Sequence, residues 1–230
     1  MKDCFILATG NSMLSLTDRE KEYIRSCKTI SVNRYPCFYD KIGIIPDSNI
    51  YVDVDQKTES ILRESSRKMG RFKMDYYTKP EHIDFLTKNC KNNWRLIPLK
   101  NYNQGKFSET IDGSLFWCSI VGMAINLSYI LYPDSNIKVV GMDGGLMTHF
   151  WCKDMIAKPQ NYTLDSQQNL DHSEKNNHHA CEWWPRIYQT VNNFFENKPI
   201  KVFNCNQESW FVKNRYMQFG EVLKNYENSK

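Results

Sequence analysis

Short apolar runs alternate with longer amphipathic stretches along most of the chain. The first run, Cys4 to Ala8, breaks at Thr9-Gly10-Asn11-Ser12 and is followed by the charged amphipathic stretch Thr17 to Cys27, which predicts strand, turn and helix. Further strands are predicted at Thr29–Val32, Asn49–Val54, Trp94–Leu99, Ile137–Met142 and Ile200–Asn204, with helices at Glu59–Lys68, Ser114–Leu131 and Glu182–Asn197. Strands alternating with helices predict an α/β fold: a Rossmann-like, mostly parallel sheet with helices on both faces. The Ser114–Leu131 helix is apolar nearly all round, so it belongs in the middle of the structure.

Two segments interrupt the alternation. Gly70 to Tyr77 is basic and aromatic and reads as a solvated excursion, with a membrane surface or an acidic glycan as its functional alternative. Gly144 to Ala180 is polar and rich in His and Asn, and is longer than an unstructured connection usually reaches, so it reads as a lid-like insertion. The chain then divides into a nucleotide-binding part at 1–143, the lid at 144–181 and a helix-strand-helix segment at 182–230 that completes the same domain. The aromatics Trp183, Trp184, Tyr188, Phe194 and Phe195 on the last long helix are expected to be its buried stripe.

Composition narrows the function classes. The 230 residues carry a net charge of +4 with Asp and Glu interleaved among Lys and Arg, unlike the clustered basic face of a nucleic-acid binder. No stretch approaches the roughly 20 apolar residues that cross a bilayer. The 8 cysteines lie in apolar runs without a CxxC spacing, which predicts buried free thiols and a cytoplasmic protein.

In open α/β sheets, ligands bind beyond the carboxyl ends of the strands. The expected residues there are Gly10, Asn11, Ser12, Asn33, Asp53, Asp55, Gly141, Asp143 and Asn204, a set rich in Asn and Asp and without Lys. Such groups suit hydrogen bonding to a sugar, base or ribose, and they also serve as ordinary turn formers. The turn Ala8-Thr9-Gly10-Asn11-Ser12 lacks both the full glycine fingerprint of a dinucleotide site and the Lys-Ser/Thr of a P-loop. Four of the 5 histidines, His149, His172, His178 and His179, fall in the insertion, where an imidazole over a cleft can act as a general base. A metal site from His172, His178, Cys181 and Cys152 matches no zinc spacing. Asp53-Val54-Asp55 has the form of a metal-binding DxD and stands as a minor alternative.

The ordered set of a Gly-Asn-Ser turn, SVNRY, YVDVD, TIDGS before an apolar helix, KVVGMD, a His-bearing loop and IKVFNCN resembles the bacterial sialyltransferases of glycosyltransferase family 42, from Phe5 to about Tyr216. The resemblance implies an inverting transferase, independent of metal and of any cofactor, that uses a CMP-sugar as co-substrate. It implies donor contacts from Gly10, Asn11, Ser12, Asn33, Asp53, Gly113, Ser114 and Asp143, and His178 as the catalytic base. The family's two phosphate-binding tyrosines fall here on Gly145 and Trp151, which leaves His149, Thr148 and Tyr162 as candidates for the leaving group. The implied partners are a CMP-activated acidic sugar, sialic acid or a relative such as Kdo, and an oligosaccharide or glycolipid acceptor of bacterial lipopolysaccharide or capsule biosynthesis. Peripheral association with the inner membrane and a homo-oligomer are left open. Two other classes compete: a pterin-type pyrophosphokinase using ATP and magnesium through Asp53, Asp55 or Asp143, and a catalytically inactive nucleotide- or carbohydrate-binding module.

Overall fold

The computed structural model describes residues 2–52, 58–99, 106–111, 119–142, 190–191 and 193–205. Strands β1 (Lys2–Leu7), β2 (Lys28–Val32), β3 (Ser48–Tyr51), β4 (Met74–Thr78), β5 (Trp94–Pro98), β6 (Ser135–Val140) and β7 (Val202–Asn204) form one sheet in the order β5-β4-β3-β2-β1-β6-β7. Every neighbouring pair is parallel. In β1, Cys4, Phe5, Ile6 and Leu7 are all fully buried, the continuous apolar run expected of a central strand covered on both faces.

Chain direction decides which face each helix covers. Helices α1 (Asp18–Ser26), α2 (Tyr35–Ile42), α3 (Thr58–Met69) and α4 (Pro80–Asn89) link strands that step steadily from β1 to β5. Right-handed crossovers in one direction put successive helices on one face, and their apolar residues Ile24, Phe38, Leu62 and Leu86 share a core with Phe5, Leu7 and Tyr76. The return from β5 to β6 reverses direction, so α5 (Ile120–Leu131) covers the other face with Cys4, Ile6, Ile30 and Val139. Phe195 joins that second core as expected, Phe194 packs against it only partly buried, and Val191 is a further buried member. The all-parallel sheet with helices on both faces is the α/β, Rossmann-like arrangement that the alternation predicted. No described helix is long and apolar enough to cross a membrane.

Local chemistry sets the element ends. Thr17 caps α1 through a capping box, with Glu20 N donating to Thr17 Oγ1 at 3.3 Å and Thr17 N donating to Glu20 Oε2 at 2.7 Å. Proline sits in the first turn of α2 and of α4, where its missing N–H costs nothing, and Gly43 ends α2 in the left-handed region at φ 77°.

Three expectations need correction. Gly70 to Tyr77 is not a solvated excursion: it leads into β4, where Tyr76 and Tyr77 are buried and the Tyr76 ring stacks on Trp94 with centroids 4.6 Å apart. Its charge misleads because the basic Arg71 and Lys73 stay exposed just before the strand, while Asp75 on β4 pairs with Arg95 on β5. Helices α2 and α4 had no place in the alternation read from the sequence. The third correction is the start of α5, which is Ile120 rather than Ser114: Ser119 is the extended N-cap, and its hydroxyl accepts a 3.0 Å bond from Gly122 N. The lid at 144–181 lies outside the described residues, as do Trp183, Trp184 and Tyr188. Of the cysteines, Cys4, Cys27, Cys37, Cys90 and Cys205 are described; all five are free thiols, and Cys4 and Cys37 are buried.

Candidate functional site

The strand order places its reversal between β1 and β6. The chain leaves β1 toward β2 on one side and continues from β6 toward β7 on the other, which makes a crevice at their carboxyl ends. Ala8 N donates to Val140 O at 2.9 Å and Gly10 N donates to Gly141 O at 2.6 Å, so the floor of that crevice is stitched by backbone. Gly141 has φ 74°, and a Cβ there would come within 2.5 Å of Met13 Cγ. Gly10 caps a short 3₁₀ helix, Asn11–Ser15, whose buried Met13 is its anchor and whose Asn11 and Ser12 are half-buried.

Asn33 follows β2 on the adjoining strand. It adopts φ 51°, a left-handed conformation that Asn tolerates better than other side-chain-bearing residues. Its N–H donates to Ile50 O at 2.9 Å, and its carbonyl accepts from Asn49 Nδ2 at 3.4 Å. Asn49 is itself fully buried and accepts from Ser31 Oγ at 2.7 Å, so a polar seam inside the sheet holds the bend. Asn33 Oδ1 is buried and accepts no hydrogen bond among the described residues. Leaving such an acceptor unsatisfied costs about 1–3 kcal/mol, which a bound donor group would recover.

The parallel register, Leu7 opposite Ser31 and Val32 opposite Ile50, brings Gly10, Asn11, Ser12 and Asn33 to one edge, as expected. Gly141 and Asn204 also end strands on that edge. Asp53, Asp55, Gly113, Ser114, Asp143, Thr148, His149, Tyr162 and His178 lie outside the described residues.

Reading the sequence missed one group. Because β4 was not foreseen, the edge seemed to hold no Lys, yet β4 delivers Thr78, Lys79 and, one turn into α4, His82, all of them buried. Lys79-Pro80 was the available signal, a proline at the first position of a helix. Arg34, the N-cap of α2, is a second cation beside Asn33. Burial lowers the His82 imidazole from its ordinary value, with Glu81 acting upward and Lys79 downward.

A shallow cleft of about 570 Å³, lined by Lys73, Met74, Asp75, Asn93 and Arg95, opens at the amino ends of β4 and β5. It is on the wrong edge for a strand-end site, and two of its charges neutralise each other as the Asp75–Arg95 pair. No group of three or more His, Cys, Asp or Glu side chains is arranged to hold a metal ion among the described residues. Comparisons of the chain with protein-family models, with curated proteins and with solved structures find no match.

Proposed function

We propose that the chain is an inverting glycosyltransferase that moves sialic acid, or a related acidic sugar, from a CMP-sugar to a hydroxyl of an oligosaccharide or glycolipid. The observation that carries the reading is the buried, unsatisfied Asn33 Oδ1 on a left-handed bend, one strand from the Gly10-Asn11-Ser12 turn at the switch-point crevice. A nucleotide's amino or hydroxyl group is the kind of donor that such an acceptor lacks. The cations Arg34 and Lys79 on the same edge suit an anionic ligand.

In this reading the acceptor oxygen attacks the anomeric carbon as its proton passes to a base. The bond from that carbon to the CMP phosphate breaks, and its electron pair stays on the phosphate oxygen. The sequence resemblance supplies His178 as the base, Asp53, Gly113, Ser114 and Asp143 as further donor contacts, and His149 and Tyr162 for the leaving phosphate. A neutral imidazole suits the first role, and hydroxyl or backbone donors can hold the phosphate without a metal ion.

Calorimetric titration with CMP tests the reading. Wild-type protein should bind CMP without magnesium, and Asn33→Ala should weaken binding by about 0.5–1.5 kcal/mol, roughly two- to tenfold. Binding of ATP and magnesium in place of CMP would overturn it in favour of a pyrophosphokinase. CMP binding without turnover of any CMP-sugar would leave a binding module.

A further inference from the structure

A hydrogen-bonded chain runs from α4 into the sheet at the carboxyl end of β4. Thr78 Oγ1 donates to the Tyr51 carbonyl at 2.7 Å. A carbonyl only accepts, so in this bond Thr78 spends its single hydroxyl proton. With that proton on the carbonyl, the same oxygen, 2.7 Å from His82 Nδ1, accepts from the ring, which is the arrangement of an Nδ1–H tautomer. The neutral ring then carries its lone pair on Nε2. Burial favours that neutral form, and the charged groups acting on the ring are Glu81 and Lys79. His82 is only 8% exposed, its ring leans on Tyr51 with centroids 5.9 Å apart, and the hydrogen bond its ring makes among the described residues is at Nδ1.

Thr78 pairs with Tyr51 on β3, and β3 pairs with the β2 strand that ends at Asn33. Strand spacing therefore puts Thr78, which holds the His82 ring, two strands, roughly 10 Å, across the edge from Asn33. We propose that His82, locked as the Nδ1–H tautomer by Thr78 and the Tyr51 carbonyl, offers Nε2 to a hydroxyl of the sugar moiety of the bound CMP-sugar, forming a sugar subsite beside the Asn33 nucleotide subsite. The inference rests on the glycosyltransferase reading and adds a recognition residue that neither the resemblance nor the strand-end pattern indicates. A rigid neutral acceptor distinguishes a ligand that brings a hydroxyl from one that ends at the phosphate.

The test compares CMP with CMP-sialic acid, by calorimetry and by two-bond proton–nitrogen spectra of the histidine rings. Wild-type His82 should show the Nδ1–H tautomer, and its Nε2 resonance should move on adding CMP-sialic acid but not CMP. In His82→Phe the dissociation constant for CMP-sialic acid should rise about two- to tenfold while that for CMP is unchanged. An Nε2–H tautomer, an Nε2 resonance indifferent to CMP-sialic acid, or equal losses for both ligands would overturn the subsite. If His82→Phe does not fold, the wild-type spectra alone decide. Wild-type protein that binds neither ligand would overturn the glycosyltransferase reading and the subsite with it, whereas binding that His82→Phe leaves intact removes the subsite only.

Discussion

Replacing Gly141 by Ala puts two separable stresses on the crevice floor. The first is conformational: Gly141 has φ 74°, where an L side chain meets its own backbone at a cost of about 1–2 kcal/mol. The second is steric, because the new methyl would stand 2.5 Å from Met13 Cγ, 2.8 Å from Met13 Sδ and 3.0 Å from the Ala8 carbonyl. Met13 is fully buried, so it has little room to retreat, and such overpacking costs typically 1–3 kcal/mol. Together they give about 2–5 kcal/mol, a large share of the roughly 5–15 kcal/mol that stabilises a native protein. Urea denaturation of wild type, Gly141→Ala, Met13→Ala and the double variant separates the two stresses. In the Met13→Ala background the clash with Met13 is gone and only the conformational part and the tight approach to the Ala8 carbonyl remain, so Gly141→Ala should cost less there, leaving a coupling of about 1–3 kcal/mol. An equal cost in both backgrounds would refute the steric argument, and no cost in either would refute the whole account of the crevice floor. Since Gly10 N bonds Gly141 O at 2.6 Å, the variant that survives should also bind CMP more weakly under the proposed function.

Other consequences are simpler to check. Burial pushes the Cys4 thiol up to about 12 and the Cys37 thiol to about 11, so iodoacetamide at pH 8 should leave both unlabelled in the native protein and label them once urea unfolds it, as read by mass spectrometry. Thr17→Ala removes the capping box of α1 and should lower stability by about 1 kcal/mol in the same denaturation assay. Because burial lowers His82 from its ordinary 6.5, the unfolded chain binds more protons in the interval beneath 6.5. This contribution to stability is present above pH 6.5 and is lost on acidification. Denaturation midpoints at pH 7.5 and 5.5 should therefore differ less in His82→Phe than in wild type.

What the sequence determined by itself was the part dictated by short-range pattern. An unbroken apolar run such as Cys4–Ala8 suits only a strand covered on both faces. An apolar helix such as α5 must lie in the interior. Their alternation with amphipathic helices requires crossover connections and hence a parallel sheet. Those constraints were enough to place Gly10, Asn11, Ser12 and Asn33 at strand ends, and strand ends in such sheets are where ligands bind. Tertiary structure decided the rest, because burial of a charged or polar residue depends on partners far away in sequence. The exposed Arg71 and Lys73 make the segment look solvated until β3 and β5 flank it, so β4 was hidden, and with it Lys79 and His82. The reversal of chain direction between β5 and β6, which makes the crevice, is a matter of strand order that no local pattern encodes. The orphaned oxygen of Asn33 and the tautomer of His82 depend on Asn49, Thr78 and Tyr51, which only the sheet brings together, because hydrogen bonding is settled by geometry between strands rather than by residue type.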